Sequence, residues 1–230
     1  VESAAAKAPK QPLIMHFTHI DNMPAILEAG RLMADSAVGV NLVTDVGAAA
    51  IKANRRQRRV PCPPGGVVAD YVPFYFAERS PMMYRIACEH RDGKAGCYPG
   101  GDDPLVYLVG SAERVHDAGL DWVASDGNCA ASLTRFSPDL RDLPELVDWA
   151  LMRETIWKNL PEDGDRVRRR MAEFLVHREF PVNLVLGYVV RTPARATQLR
   201  QVLRAAGIID AYVDVRQHWY YGYQRGEVRG

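Results

Sequence analysis

Three stretches of this chain put residues capable of chemistry into patterned surroundings. Glu173 stands alone among apolar neighbours in Met171-Ala172-Glu173-Phe174-Leu175-Val176. It is either the outward residue of an alternating strand or a carboxylate held rigidly beside an apolar wall. In the second arrangement it would meet positive charge developing on a substrate, as at a sugar centre with oxocarbenium character. Near the start, His16 and His19 flank Thr18 in His16-Phe17-Thr18-His19-Ile20-Asp21-Asn22. Such histidines are either hydrogen-bonded core residues or neutral imidazoles that, with the hydroxyl, hold a ribose or an amide. Between Ile51 and Val60 lie five basic residues, Lys52, Arg55, Arg56, Arg58 and Arg59, and no acid. Arginine suits phosphate because its planar fork donates two parallel bonds, yet a solvated helix face has the same composition.

Composition sets limits on these readings. With 230 residues, 47% hydrophobic and 25% charged, the chain suits one soluble globular domain. Net charge is only +1, but Arg191 to Gly230 holds seven Arg against three acids. Local arginine clusters on a near-neutral protein fit a cleft that meets a polyanion at one face. No apolar run approaches the ~18 residues that span a bilayer. Cys62, Cys88, Cys97 and Cys129 are scattered without a Cys-x-x-Cys pair, so neither a zinc site nor a disulfide framework is indicated and no metal is expected. A cytoplasmic setting follows as the default. Glycine-rich nucleotide cradles and a Gly-x-Ser-x-Gly elbow are missing from the sequence.

The elements that must position these residues read as follows. Residues 1–12 form a loose tail and 13–230 one domain. Leu13 to His19 is a short strand. Asp21-Asn22 caps a helix over Met23 to Ala29 that Gly30 closes. Val46 to Arg58 is helical with Asp45 as N-cap. Asp70-Tyr71-Val72-Pro73-Phe74-Tyr75-Phe76 is an aromatic strand, and Pro81 to Cys88 a short helix. Strands follow at Pro104 to Val109 and Trp122 to Ala124, ending at the turn Asp126-Gly127-Asn128. Pro144 to Leu151 has helical period. Arg166 to Phe174 reads as helix or strand. Pro181 to Val190 is a strand, Ala194 to Ala206 a helix capped by Thr192-Pro193, and Ile209 to Val215 a last strand. This irregular alternation predicts an α+β fold with a split, mixed β-sheet core and flanking helices.

Six segments, taken in order, resemble one family. They are His16-Phe-Thr-His-Ile-Asp-Asn, Ile51-Lys-x-x-Arg-Arg, Asp70-Tyr-Val-Pro-Phe-Tyr-Phe, Ser80-Pro-Met-Met-Tyr, Ser125-Asp-Gly-Asn and Ala172-Glu-Phe-Leu-Val. The sequence resembles the DarT-type DNA ADP-ribosyltransferase toxins over roughly Leu13 to Tyr221. The resemblance implies an ADP-ribosyltransferase fold related to the poly(ADP-ribose) polymerases. It implies transfer of ADP-ribose from NAD+, a co-substrate rather than a bound cofactor, to a base in single-stranded DNA. The acceptor implied is thymine, through a ring nitrogen; another branch modifies guanine. RNA or protein acceptors, and a non-enzymatic NAD+- or DNA-binding module, are the competing readings. The implied partners are single-stranded DNA and the antitoxin DarG, whose macrodomain removes the modification, with the chain itself a monomer.

Position by position, the resemblance makes Glu173 the catalytic carboxylate and puts the essential arginine at Arg55 or Arg56. It assigns His16, Thr18, Asn22, Tyr71, Met82 and Met83 to NAD+. Some relatives carry His where Asn128 stands here. Residues 137–165 occupy the place of the substrate-recognition loop. Within it, Trp149 and Trp157 either stack bases, worth ~1–3 kcal/mol each, or anchor the loop on the core. Arg58, Arg59, Arg166 and Arg169 are the expected contacts to DNA phosphates.

Overall fold

The computed structural model describes residues 8–37 and 49–225. The N-cap expected at Asp45 and the first seven residues of the expected tail lie outside the described residues. Eight strands form one sheet: β1 (Leu13–His19), β3 (Tyr71–Tyr75), β4 (Leu105–Ser111), β5 (Trp122–Ser125), β6 (Phe136–Ser137), β7 (Glu173–His177), β9 (Gly187–Val190) and β10 (Val213–Val215). Their order is β10-β9-β4-β1-β3-β7-β5-β6. Pairing is antiparallel except between β9 and β10, so the sheet is mixed. β2 (Arg31–Met33) and β8 (Glu179–Pro181) form a separate two-stranded ribbon.

The sheet is split between β1 and β3. β1 pairs along its length with β4, from Leu13↔Ser111 to His19↔Leu105, and β3 pairs with β7 from Tyr71↔His177 to Tyr75↔Glu173. Across the β1/β3 seam one register pair remains, Met15↔Tyr75. Pro73 supplies a reason. A proline has no N–H to give a ladder and is tolerated where the strand is locally an edge. Its carbonyl, on the β1 side, accepts instead from His16 Nδ1 at 2.8 Å. Thus a side chain replaces a rung, and the seam opens beside His16.

Helices cover both faces. α1 (Met23–Ala29), α4 (Ala112–Asp117) and α8 (Pro193–Ala205) lie with the Ile14, Phe74, Leu108 and Phe174 layer. α3 (Pro81–Arg91) and the C-terminal Trp219-Tyr220 cover the Met15, Phe17, Tyr75 and Tyr107 layer. Fully burying side chains such as Phe74, Phe174 and Tyr107 contributes about 1.5–3 kcal/mol each for residues of this size. α2 spans Ala49–Gln57, α5 Leu143–Leu146, α6 Trp149–Met152 and α7 Arg166–Arg170. Among the described residues no helix is long and apolar enough to cross a membrane.

Local chemistry explains most boundaries. Ser80 accepts from the Met83 N–H at 3.2 Å with Pro81 in the first turn, a standard start for α3. Thr192 does the same for α8 through Arg195 N at 3.3 Å. Gly30, at φ +68°, ends α1 in the left-handed conformation that glycine adopts without strain. Three sequence readings need correction. Asn22 makes no side-chain cap to α1; its amide goes to Thr18. The expected helix over Pro144 to Leu151 is two one-turn helices, α5 and α6. The apolar run from Pro181 to Val190 is not one strand, because a 3-10 turn at Val182–Leu184 passes the chain from the β2/β8 ribbon to the main sheet.

Candidate active site

The site is built outward from Glu173, the first residue of β7. Its side chain is only 1% exposed, so the reading as an outward strand residue is excluded. Each carboxylate oxygen takes a donor from the described residues. Arg55 Nη1 donates to Oε2 at 2.8 Å, and the Cys129 backbone N–H donates to Oε1 at 3.2 Å. A carboxylate oxygen has two lone-pair sites, so each keeps capacity for a further donor. Burial disfavours the Arg55 cation, but the Glu173 carboxylate outweighs it and holds the guanidinium above its ordinary pKa. Arg55 is therefore a fixed cation and no proton acceptor. Its Nη2 is buried and has no partner among the described residues.

Tyr75 faces this pair. It is opposite Glu173 in register and also opposite Met15, so its ring stands at the seam between the two halves of the sheet. Burial, with the nearby Glu173 charge, pushes its hydroxyl pKa well up and keeps it neutral. His16 fills the seam from β1, its ring 5.6 Å from that of Phe74. Burial lowers its pKa, against the raising effect of the Pro73 carbonyl, and the Arg55 charge lowers it further. Because Pro73 O accepts from Nδ1, the neutral ring presents Nε2 as an acceptor. Thr18 is buried on the same strand and its hydroxyl oxygen accepts from Asn22 Nδ2 at 3.0 Å.

The structure divides the other residues singled out in the sequence. Arg56 points away from Glu173 and pairs with Asp35 at 2.9 Å, its side chain 59% exposed. Tyr71 lies four positions along β3 from Tyr75, opposite His177, with its hydroxyl donated to Gly65 O at 2.6 Å. Its hydroxyl is thus engaged away from the carboxylate, and Tyr75 is the tyrosine of that face in register with Glu173. Met83 is fully buried in the core beneath Tyr75, whereas Met82 is half-buried at its rim.

The DNA-contact expectations change most. Trp149 is 5% exposed, donates Nε1–H to Leu143 O at 2.9 Å and meets Phe76 edge-on, so it anchors the core rather than stacking on a base. Trp157 is half-buried, edge-on to Tyr84 at 5.6 Å. Arg58 donates to the Cys129 and Ser132 carbonyls, both at 3.3 Å, and so braces the turn that reaches Glu173. Arg166 donates to the carbonyls of Lys158 and Ile156, and Arg169 pairs with Asp163 and Asp148. Those guanidiniums already have partners within the chain. Arg59 remains exposed, two residues past α2 in a bridge to Val67.

The residues that sequence reasoning missed are Tyr75, Cys129 and Ser125. Tyr75 was inside a recognised strand, but its position relative to Glu173 depends on strand register. Cys129 contributes through its main chain, which leaves no signature of residue type.

The comparisons with known proteins agree with one another. A family model described as "DarT: ssDNA thymidine ADP-ribosyltransferase" matches residues 15–221. A DNA ADP-ribosyl transferase of Mycobacterium tuberculosis is 39% identical over 218 residues, covering 94% of this chain and 91% of the relative. Among solved structures, Thermus sp. 2.9 DarT in complex with ADP-ribosylated ssDNA superposes with a TM-score of 0.86 at 35% identity, over 94% of this chain and 100% of that one. The same protein in complex with NAD+ gives a TM-score of 0.80 at 35% identity, over 93% and 99%.

Proposed function

The chain belongs to the DarT family of single-stranded-DNA thymidine ADP-ribosyltransferases, and from that premise we propose how its own residues carry the reaction. It is an NAD+-dependent DNA ADP-ribosyltransferase that moves ADP-ribose from NAD+, its co-substrate, to thymidine in single-stranded DNA. The bond from the ribose anomeric carbon to nicotinamide breaks with its electron pair leaving on nicotinamide. A thymine ring nitrogen bonds to that carbon and gives up its proton to solvent water.

Glu173 is the catalytic carboxylate in this reading. It accepts a hydrogen bond from the nicotinamide ribose and offsets the positive charge that grows as nicotinamide leaves. The observation that carries the assignment is its double anchoring by Arg55 and the Cys129 N–H in a buried setting. A carboxylate already aimed needs no reorganisation in the transition state, where such a group is worth ~10²–10³ in rate. Arg55 is the essential arginine. Its charge is permanent and its Nη2 has no partner among the described residues, which suits it to stabilise negative charge developing on the thymine nitrogen.

His16 Nε2 and the Thr18 hydroxyl, with Asn22 orienting the latter, hold NAD+ through hydroxyl or amide groups. Tyr75 and Met82 form the apolar wall for nicotinamide. Arg59 and Trp157 are the remaining candidates for DNA contact. The finer partner and setting follow from the family resemblance: a single-domain monomer over residues 13–230, acting as a cytoplasmic toxin restrained by an antitoxin DarG bearing a macrodomain. Co-purification with that antitoxin and light scattering test this part.

The decisive experiment is mass spectrometry of single-stranded oligonucleotides after incubation with the protein and NAD+. A gain of one ADP-ribose on thymine, lost in Glu173→Ala, supports the assignment. An active Glu173→Ala protein would falsify the role of the carboxylate, and an adduct on another base would move the acceptor.

A further inference from the structure

The turn between β5 and β6 makes contacts that the reaction itself does not require. Ser125, the last residue of β5, is fully buried. Its Oγ accepts from the Glu173 backbone N–H at 3.0 Å and lies 2.8 Å from Gly127 O, to which it donates. The Cys129 thiol is 3.2 Å from the same oxygen. One hydroxyl therefore ties the first peptide of β7 to both ends of the turn that follows.

The rest of that turn is clamped from the side of α7. Asn128 N–H donates to Arg168 O at 2.9 Å, and Arg168 Nη1 donates to Asp126 Oδ1 at 2.8 Å. A Cβ on Gly127 would lie 2.5 Å from Arg168 Nη1 and 2.8 Å from Arg168 O, closer than real atoms approach. Asn128 Oδ1 takes the Ala130 N–H at 2.9 Å, and the Asn128 carbonyl takes the Thr134 hydroxyl at 2.6 Å. With those groups satisfied inside the turn, the Cys129 N–H is delivered inward to Glu173 Oε1.

We infer that Ser125 is a positioning residue for the transfer reaction, setting the Glu173 carboxylate through the main chain at both ends: the peptide that carries Glu173 and the turn whose Cys129 N–H holds Oε1. Misplacing a reacting group by an ångström from outside the site costs up to ~10² in rate. This inference rests on the role proposed for Glu173.

The test is steady-state kinetics of nicotinamide release with NAD+ and single-stranded DNA for Ser125→Ala, Ser125→Thr, Gly127→Ala and Glu173→Gln, each with its melting temperature. Ser125→Ala is expected to lower kcat about 10- to 100-fold, with KM for NAD+ within about 3-fold of the parent. Ser125→Thr, which keeps the hydroxyl, is expected to recover most of kcat. Gly127→Ala, which displaces the same turn from the α7 side, should show the same kcat-selective loss and carries the test if Ser125→Ala does not fold. A Ser125→Ala protein with parental kcat overturns the inference. So does a loss spread equally over kcat, KM and melting temperature that Thr does not rescue. If Glu173→Gln is itself fully active, the proposed function fails; if Glu173→Gln is inactive and Ser125→Ala unaffected, only this inference fails.

Discussion

Arg55 and Glu173 meet at 2.8 Å although they are 118 positions apart in the chain, and both are largely withdrawn from water. The helix that carries Arg55 precedes the aromatic strand, while Glu173 begins the strand that pairs with it. Removing one partner of a buried pair leaves the other charge uncompensated, which costs ~3–5 kcal/mol. Arg55→Ala should therefore lower the unfolding free energy by about 3 kcal/mol and abolish transfer. Arg56→Ala should change stability by less than ~0.5 kcal/mol, as surface substitutions do. Urea titrations of the two variants check this; equal losses would contradict the geometry.

Trp149 and Trp157 are predicted to part company. Trp149→Ala opens a cavity in the core and removes one of the two donors to the Leu143 carbonyl, so a loss of ~3–5 kcal/mol is expected. Trp157→Ala should leave the fold near its parental stability and raise KM for DNA. Melting curves and DNA-dependent kinetics on both proteins decide it, and a raised DNA KM for Trp149→Phe with unchanged stability would count against the core assignment.

Arg168 and Arg169 are held by acids of the same chain, Asp126, Asp165, Asp163 and Asp148. Neutralising them should reduce stability rather than DNA binding. For single strands, each phosphate that a side chain no longer neutralises makes the slope of log K against log salt shallower by about 0.7. The slope is expected to stay at its parental value for Arg169→Gln and to become shallower for Arg59→Gln. Binding isotherms between low and moderate salt measure both.

His16 gives the protein a pH dependence of known sign. Burial lowers its pKa below the ordinary 6.5, only partly countered by the Pro73 carbonyl, and Arg55 adds to the lowering. Just below pH 6.5 the unfolded chain therefore holds a proton that the folded chain does not, and stability rises with pH through that window. The contribution is present above 6.5 and lost as pH falls toward the folded value. Between pH 7.5 and 5.5 the parent should lose more unfolding free energy than His16→Gln. His19, also lowered by burial, contributes alike to both proteins, so the difference isolates His16. Identical losses would refute the assignment.

Much of this was legible in the chain itself. A lone acid in an apolar run, a proline inside an aromatic strand, Ser80-Pro81 opening a helix and Gly30 closing one are local facts, because each acts through its own backbone or its nearest neighbours. They determined the α+β class, the order of elements and the singling out of Glu173. Which of two like residues reaches the carboxylate was a matter for tertiary structure. Arg55 and Arg56 are adjacent, but successive residues on a helix diverge by about 100°, and only the docking of α2 decides which one faces Glu173. Tyr71 and Tyr75 share a strand face, and the β3/β7 register alone puts Tyr75 opposite the carboxylate. The arginines of α7 have a composition suited to phosphate, yet the fold brings acids and carbonyls to them first. The physical reason is the same in each case: residue type sets what a group can bind, while register and packing set what is within about 3 Å of it.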